Sequence, residues 1–220
     1  MATELIVRTL GLQDYVETWQ AMKQFVDNRS DDAPDEIWLL EHPPVYTQGL
    51  NGRAEHIIDP GGIPVVASDR GGQATYHGPG QLIVYTMIDL QRKRLGIRRL
   101  VSALEETAAG VLKQYGLAPE TRRDAPGVYI DAAKIASIGL RIRRGCSYHG
   151  LSLNVCMDLS PFSGIDACGF SGLRITQLSD LVGPIGLHEV MVPVIGQLME
   201  VLDYTELVAP ESAAAVVAGP

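Results

Sequence analysis

Leu12, Tyr15, Val16, Trp19, Met22, Phe25 and Val26 recur at three- and four-residue spacing, which puts one apolar stripe on a helix over residues 12–29. Ahead of it, residues 4–9 read as an opening strand; behind it, residues 30–34 form an acidic turn. Residues 36–41 and 64–67 are short apolar runs of strand length, and residues 81–90 a longer one. A second helix is expected over residues 98–115, stopped by Gly116. Three strands then follow at hairpin spacing, over residues 127–131, 134–142 and 147–157. Ala132-Ala133 and Arg143-Arg144-Gly145 supply the turns, so a meander is predicted. Strict alternation in the second of these strands puts Ile135, Ser137, Gly139 and Arg141 on one face. Ala136, Ile138, Leu140 and Ile142 fall on the other. A last helix covers residues 187–202. Helices before and after hairpin-linked strands indicate the α+β class rather than a doubly wound parallel sheet. A single domain is expected over residues 1–205. Residues 206–220, rich in Ala and Val without pattern, read as a loosely ordered tail.

Composition narrows this picture. The chain has 220 residues, of which 46% are hydrophobic and 20% charged, enough for one globular domain with a real core. It contains no apolar run of membrane-spanning length, so no membrane partner is expected. Met1-Ala2-Thr3-Glu4 lacks the features of a secretory signal, and Cys146, Cys156 and Cys168 are an odd count without scaffold spacing. Reduced thiols in the cytoplasm are the expectation. A net charge of −8 argues against nucleic acid as a partner. The charge is uneven, however: residues 92–144 carry 12 Lys/Arg against 5 Asp/Glu, and the remainder of the chain is strongly acidic. That basic island reads either as solvated surface or as a docking face for an acidic partner.

The stretch richest in candidate chemistry is Arg70-Gly71-Gly72-Gln73-Ala74-Thr75-Tyr76-His77-Gly78-Pro79-Gly80-Gln81. Its glycines allow a backbone to approach a ligand closely, and Arg70 and His77 add cationic or donor groups. It lacks the spacing of a phosphate loop or a dinucleotide fingerprint. Among the cysteines, Cys168 lies in an irregular, Gly-punctuated loop where a thiol can meet substrate. Cys156 falls in a predicted strand and Cys146 at a tight turn. A nucleophilic thiol needs a nearby cation or base. Of the four lysines, Lys134 alone opens an apolar strand; a snorkelling strand-end lysine is the plainer alternative. Spacing does not establish whether Lys134 and Cys168 meet.

Five motifs in order carry a family resemblance: Glu41-His42-Pro43-Pro44-Val45-Tyr46-Thr47-Gln48-Gly49, the Arg70–Gln81 loop running into Leu82-Ile83-Val84-Tyr85, Lys134-Ile135-Ala136-Ser137-Ile138-Gly139, His149-Gly150-Leu151-Ser152-Leu153-Asn154, and Ala167-Cys168-Gly169. Together they resemble the octanoyl-(acyl carrier protein):protein octanoyltransferases of lipoate biosynthesis. The resemblance implies one α+β domain with a mixed or antiparallel sheet and flanking helices, like biotin and lipoate protein ligases. It implies an acyl-thioester on Cys168 and a Lys134 that lowers the pKa of that thiol and moves protons. It assigns acyl binding to Arg70, Gly71, Gly72, Gln73, Ala74, Thr75, Tyr76 and His77, to Ser137, Ile138 and Gly139, and to Gly150, Leu151 and Ser152. The implied donor is octanoyl-acyl carrier protein. The implied acceptors are lipoyl domains of 2-oxoacid dehydrogenase complexes and the glycine cleavage H protein. No metal or other cofactor is implied. Backbone groups near Gly139 or in the Gly71-Gly72 turn are candidate oxyanion donors. Two alternatives stand beside this reading: an ATP-dependent lipoate or biotin ligase on the same fold, and a non-catalytic acyl-binding module.

Overall fold

The computed structural model describes residues 4–167 and 172–209. Its centre is an eight-stranded mixed sheet, formed by β1 (Glu4–Leu12), β2 (Asp35–Glu41), β6 (Gln81–Met87), β7 (Glu120–Thr121), β8 (Val128–Ile130), β9 (Ala133–Arg143), β10 (Cys146–Asn154) and β11 (Glu206–Val208). The order is β11-β1-β2-β6-β10-β9-β8-β7. β1 runs parallel to both neighbours, and every other pairing is antiparallel. A second sheet of three strands stands apart, with β3 (Val45–Gln48) between β4 (Val65–Ala67) and β5 (Ala74–His77).

The central strands are apolar on both faces because both faces are covered. In β2, Ile37 and Leu39 point to one side, while Trp38 and Leu40 point to the other. β6 repeats the pattern, with Leu82 and Val84 against Ile83, Tyr85 and Met87. The first side is capped by α2 (Ile97–Gln114) and α4 (Leu187–Val201), through Leu100, Leu104, Val111, Val190, Val194 and Leu198. The second side is capped by α1 (Tyr15–Asn28), through Met22 and Val26. A short helix, α3 (Leu178–Val182), adds Leu178 to the first core.

Three differences from the sequence reading have local causes. α1 begins at Tyr15 rather than Leu12 because the Asp14 carboxylate caps the backbone N–H groups of Val16 and Glu17, while Leu12 still pairs with Glu41 in the sheet. The Arg70–Gln81 stretch is not a loop throughout. Its Ala74–His77 segment is β5, hidden in the sequence by the glycines on either side. Glu206–Val208, placed in the tail by composition, is instead strand β11 along β1. Among the described residues, no helix is long and apolar enough to cross a membrane.

Candidate active site

A cavity of about 520 Å³, partly open to solvent, lies on the α1 side of the sheet, between β9, β10 and the three-stranded sheet. Its lining includes Arg70, Gly72, Gln73, Ala74, Thr75, His77, Lys134, Ser137, Ile138, Gly139, Gly150, Leu151 and Ser152. Segments far apart in the chain thus meet around one space. Two residues expected there do not line it. The Gly71 N–H donates to the Leu140 carbonyl at 2.9 Å, so this turn is stapled onto β9 and that N–H is already used. Tyr76, on the opposite face of β5 from His77, packs on Tyr46 and Phe162. Cys168 lies outside the described residues.

The seat of Lys134 depends on a β-bulge. Val128 pairs with Ala136 but Tyr129 pairs with Lys134, so β9 carries one extra residue, Ile135. Strict alternation would have put Lys134 beside Ala136 in the helix-covered core. The bulge turns it to the face of Ser137 and Gly139, where it lines the cavity at 2% exposure, its Nζ 5.5 Å from the Tyr129 ring centroid. The backbone of Lys134 also meets the segment that follows the cysteine loop. Its N–H donates to the Arg174 carbonyl at 2.8 Å and its carbonyl accepts from Thr176 N–H at 3.0 Å.

One hydrogen-bonded chain ties these parts together. The Arg70 guanidinium donates to Thr47 Oγ1, Thr47 O, Gly71 O and Gln73 O at 2.6–3.0 Å, so its donors hold the turn against β3. Gln81 Nε2 donates to Asn154 Oδ1 at 2.9 Å, leaving Gln81 Oε1 to accept from His77 Nδ1–H at 2.7 Å. His77 Nε2 then faces Thr47 Oγ1 at 3.4 Å as an acceptor. Asn154 Nδ2 donates to the Thr176 carbonyl at 3.0 Å, which returns the chain to the partner of Lys134. Burial, reinforced by His42 and Arg70, pushes His77 well below the ordinary histidine range, so it is neutral.

Sequence reasoning missed Tyr15, Ile83, Tyr85 and His149, which also line the cavity. Tyr15 stacks on His77 with centroids 5.9 Å apart. Tyr85 donates to His42 Nε2 at 2.7 Å, and His42 Nδ1–H donates to Gln13 O at 2.7 Å. Burial lowers His42 to about 4. His149 Nε2 contacts Asp69 Oδ1 at 2.9 Å. Burial pulls Asp69 up, but hydrogen bonds from His149 and Tyr148 outweigh it and hold the carboxyl at about 2. Ile83, Tyr85 and His149 lie in quoted motifs; Tyr15 is marked in sequence only by core-like periodicity.

Four cations of the basic island, Arg92, Lys93, Arg143 and Arg144, are engaged within the fold, while Arg94, Arg98 and Arg141 are exposed. Arg92 reaches the buried Asp35 at 2.7 Å, and Lys93 donates to the Leu202 carbonyl at 2.7 Å beneath the Tyr204 ring. Arg143 pairs with Asp27 at 2.6 Å, and Arg144 donates to the Asp27 carbonyl at 2.8 Å. The acidic partners lie outside the island in sequence, so charge counting along the chain could not anticipate the pairing. Among the described residues, no three His, Cys, Asp or Glu side chains converge as a metal site.

The model of the lipoyl protein ligase A/B catalytic domain family matches residues 14–199. The octanoyltransferase of Methylococcus capsulatus is 55% identical over 204 residues, covering 93% of this chain and 99% of that protein. A crystal structure of lipoate-protein ligase A bound with ATP aligns with 96% of this chain and 90% of its own, at TM-score 0.77 and 17% identity. A bipartite lipoate protein ligase from Thermoplasma acidophilum, analysed with its E2 lipoyl domain, aligns with 94% of this chain and 88% of its own, at TM-score 0.75 and 18% identity. At such identities these two structures speak for the shared α+β fold.

Proposed function

The chain belongs to the octanoyltransferases of the lipoyl protein ligase A/B catalytic domain family, and we propose that it carries octanoyl from acyl carrier protein to a lipoyl-domain lysine through a thioester on Cys168. The observation that carries this reading is Lys134. It is a lysine almost wholly removed from water, turned by a bulge into the cavity, and hydrogen-bonded through its backbone to the segment that follows Cys168 in the chain.

In the first half-reaction the Cys168 thiolate attacks the donor thioester carbonyl. The tetrahedral oxyanion collapses, the carrier thiolate leaves and takes a proton from the Lys134 ammonium, and an acyl-enzyme with a neutral Lys134 remains. In the second, the ε-amine of the acceptor lysine attacks the new thioester. An amide forms, the Cys168 sulfur leaves, and the amine proton passes to Lys134. Between turnovers the ammonium of Lys134 beside the sulfur favours the thiolate, and the proton it gives up in the first half is regained from the amine in the second. Conversion of thioester to amide is downhill, so neither half requires ATP. The acceptors are the lipoyl domains of 2-oxoacid dehydrogenase complexes and the glycine cleavage H protein, and the enzyme works in the cytoplasm.

Intact-mass measurement after mixing with an octanoyl thioester tests the reading. The wild type gains one octanoyl group, labile to hydroxylamine. Cys168→Ala gains none, while Cys146→Ala and Cys156→Ala retain it. In Lys134→Ala, alkylation of Cys168 shifts to higher pH. A Cys168→Ala protein that still acquires the labile acyl group refutes the nucleophile, and a strict ATP requirement refutes transferase chemistry.

A further inference from the structure

His149 stands on the cavity face against the rule of its own strand. It pairs with Leu140, and opposed residues share a face, so alternation would direct it toward α2 and α4, where Leu140 packs. Its φ of +60° reverses this. That conformation is uncommon for residues other than glycine and, where it persists, points to a local demand. The ring lines the cavity instead, at 1% exposure, with its centroid 5.9 Å from Tyr85 and 5.0 Å from Tyr148. Nε2 is fixed by Asp69, which remains a carboxylate and therefore makes Nε2 the protonated nitrogen. Nδ1 is left with a lone pair, buried, and among the described residues it has no hydrogen-bond partner. Burial lowers the His149 pKa despite Asp69, which keeps this lone pair available.

The strand register sets where this nitrogen lies. Between the Ser137–Ser152 pair and the Leu140–His149 pair there are three strand steps, about 10 Å. Of the two pairs between them, Ile138–Leu151 packs toward the helix-covered core and Gly139–Gly150 carries no side chain, with the Gly71 carbonyl lying over Gly139. An extended eight-carbon acyl chain measures roughly 9 Å at about 1.25 Å per bond along its axis. A chain with its carbonyl at the level of Ser137 therefore ends at His149.

Resting on the acyl-transfer reading above, we propose that His149 ends the acyl channel and sets its specificity, with Nδ1 accepting a hydrogen bond from a hydroxyl or thiol at the distal end of a medium-length chain. An apolar terminus leaves this nitrogen unsatisfied, whereas a donor-bearing terminus completes it. The channel therefore takes both, instead of rejecting the polar chain as an all-apolar end would.

The test is the ratio of kcat/KM for 8-hydroxyoctanoyl and octanoyl thioesters of one small thiol, in the wild type, His149→Phe and His149→Asn. The wild type is expected to use the two within about tenfold. His149→Phe removes the acceptor, and the ratio falls on the order of 10- to 100-fold against the hydroxylated chain. His149→Asn tolerates positive φ and keeps an acceptor near the position of Nδ1, so the ratio stays close to that of the wild type. A wild-type preference for octanoyl above about 100-fold overturns the proposal even if His149→Phe does not fold. So does a folded His149→Phe protein with an unchanged ratio. An enzyme that acquires no acyl adduct from either donor overturns the acyl reading of the cavity itself, which separates the two failures.

Discussion

Gly127 leaves room for the end of the Lys134 side chain. A Cβ built there would lie 2.5 Å from Lys134 Cε, 3.2 Å from its Nζ and 2.6 Å from the Ala136 carbonyl, at a φ of +139°. The glycine cannot drift away, because its N–H donates to Glu105 Oε1 at 2.9 Å. Relaxed carbon–carbon contacts are about 3.5–4.0 Å, so in Gly127→Ala the lysine must retreat by about 1 Å or its rotamer must change. Overpacking of this kind costs about 1–3 kcal/mol of stability, read as a lower midpoint in urea. Misplacing a catalytic group by that distance costs about 100-fold in rate, read as slower octanoyl transfer by the folded fraction. The decisive comparison is a double-mutant cycle with Lys134→Ala. Once Cε and Nζ are gone only the crowding of the Ala136 carbonyl remains, so in that background Gly127→Ala should still cost stability but change the residual rate of the folded fraction only slightly. Equal losses in both backgrounds would refute the claim that Gly127 acts through Lys134.

Acid should loosen the cavity wall before it reaches the carboxylates. His42 sits at about 4 in the fold against 6.5 unfolded, so its contribution to stability is complete above pH 6.5 and is lost as pH falls from 6.5 through 4. About 2 kcal/mol should be gone by pH 5, and His42→Gln should flatten the change in urea midpoint between pH 7 and pH 5. Gln81→Met conserves volume but strands His77 Nδ1–H and Asn154 Oδ1, and calorimetry should show a loss of about 2–4 kcal/mol. Arg92→Glu sets a second carboxylate beside fully buried Asp35 and should cost about 3 kcal/mol or more, whereas exposed Arg94→Glu should stay within about 0.5 kcal/mol. Equal melting temperatures for these two variants would contradict the pairing of the basic island.

The elements whose evidence is local were legible in the sequence. The long helices announced themselves by stripe and stop signal, the doubly covered strands β2 and β6 by apolar runs, and β8, β9 and β10 by hairpin spacing. β5 was not, because its four residues are flanked by glycines and its hydrogen bonds go to β3, about thirty residues earlier in the chain. The site was legible as a set of motifs but not as an arrangement. Thr47, Gln81 and Asn154 join it through side-chain bonds that no periodicity encodes. For the same reason, charge counting along the chain did not show that Asp35 and Asp27 hold Arg92, Arg143 and Arg144.

The instructive errors concern parity. Period-2 alternation assumes an unbroken ladder of extended residues, and it holds for most of β9 and β10. It fails at Lys134, where an extra residue shifts the count by one, and at His149, where a left-handed backbone turns a single side chain over. Both departures act in the same direction, taking a titratable side chain out of the helix-covered core and setting it on the cavity face. An unpaired ammonium or imidazole among Leu104, Leu151 and Leu153 would carry a desolvation cost with nothing to offset it. On the opposite face, Tyr129 and Asp69 receive them. Local rules are expected to break where chemistry is housed. In this sheet, the two residues that leave the alternation stand near opposite ends of the channel proposed for the acyl chain.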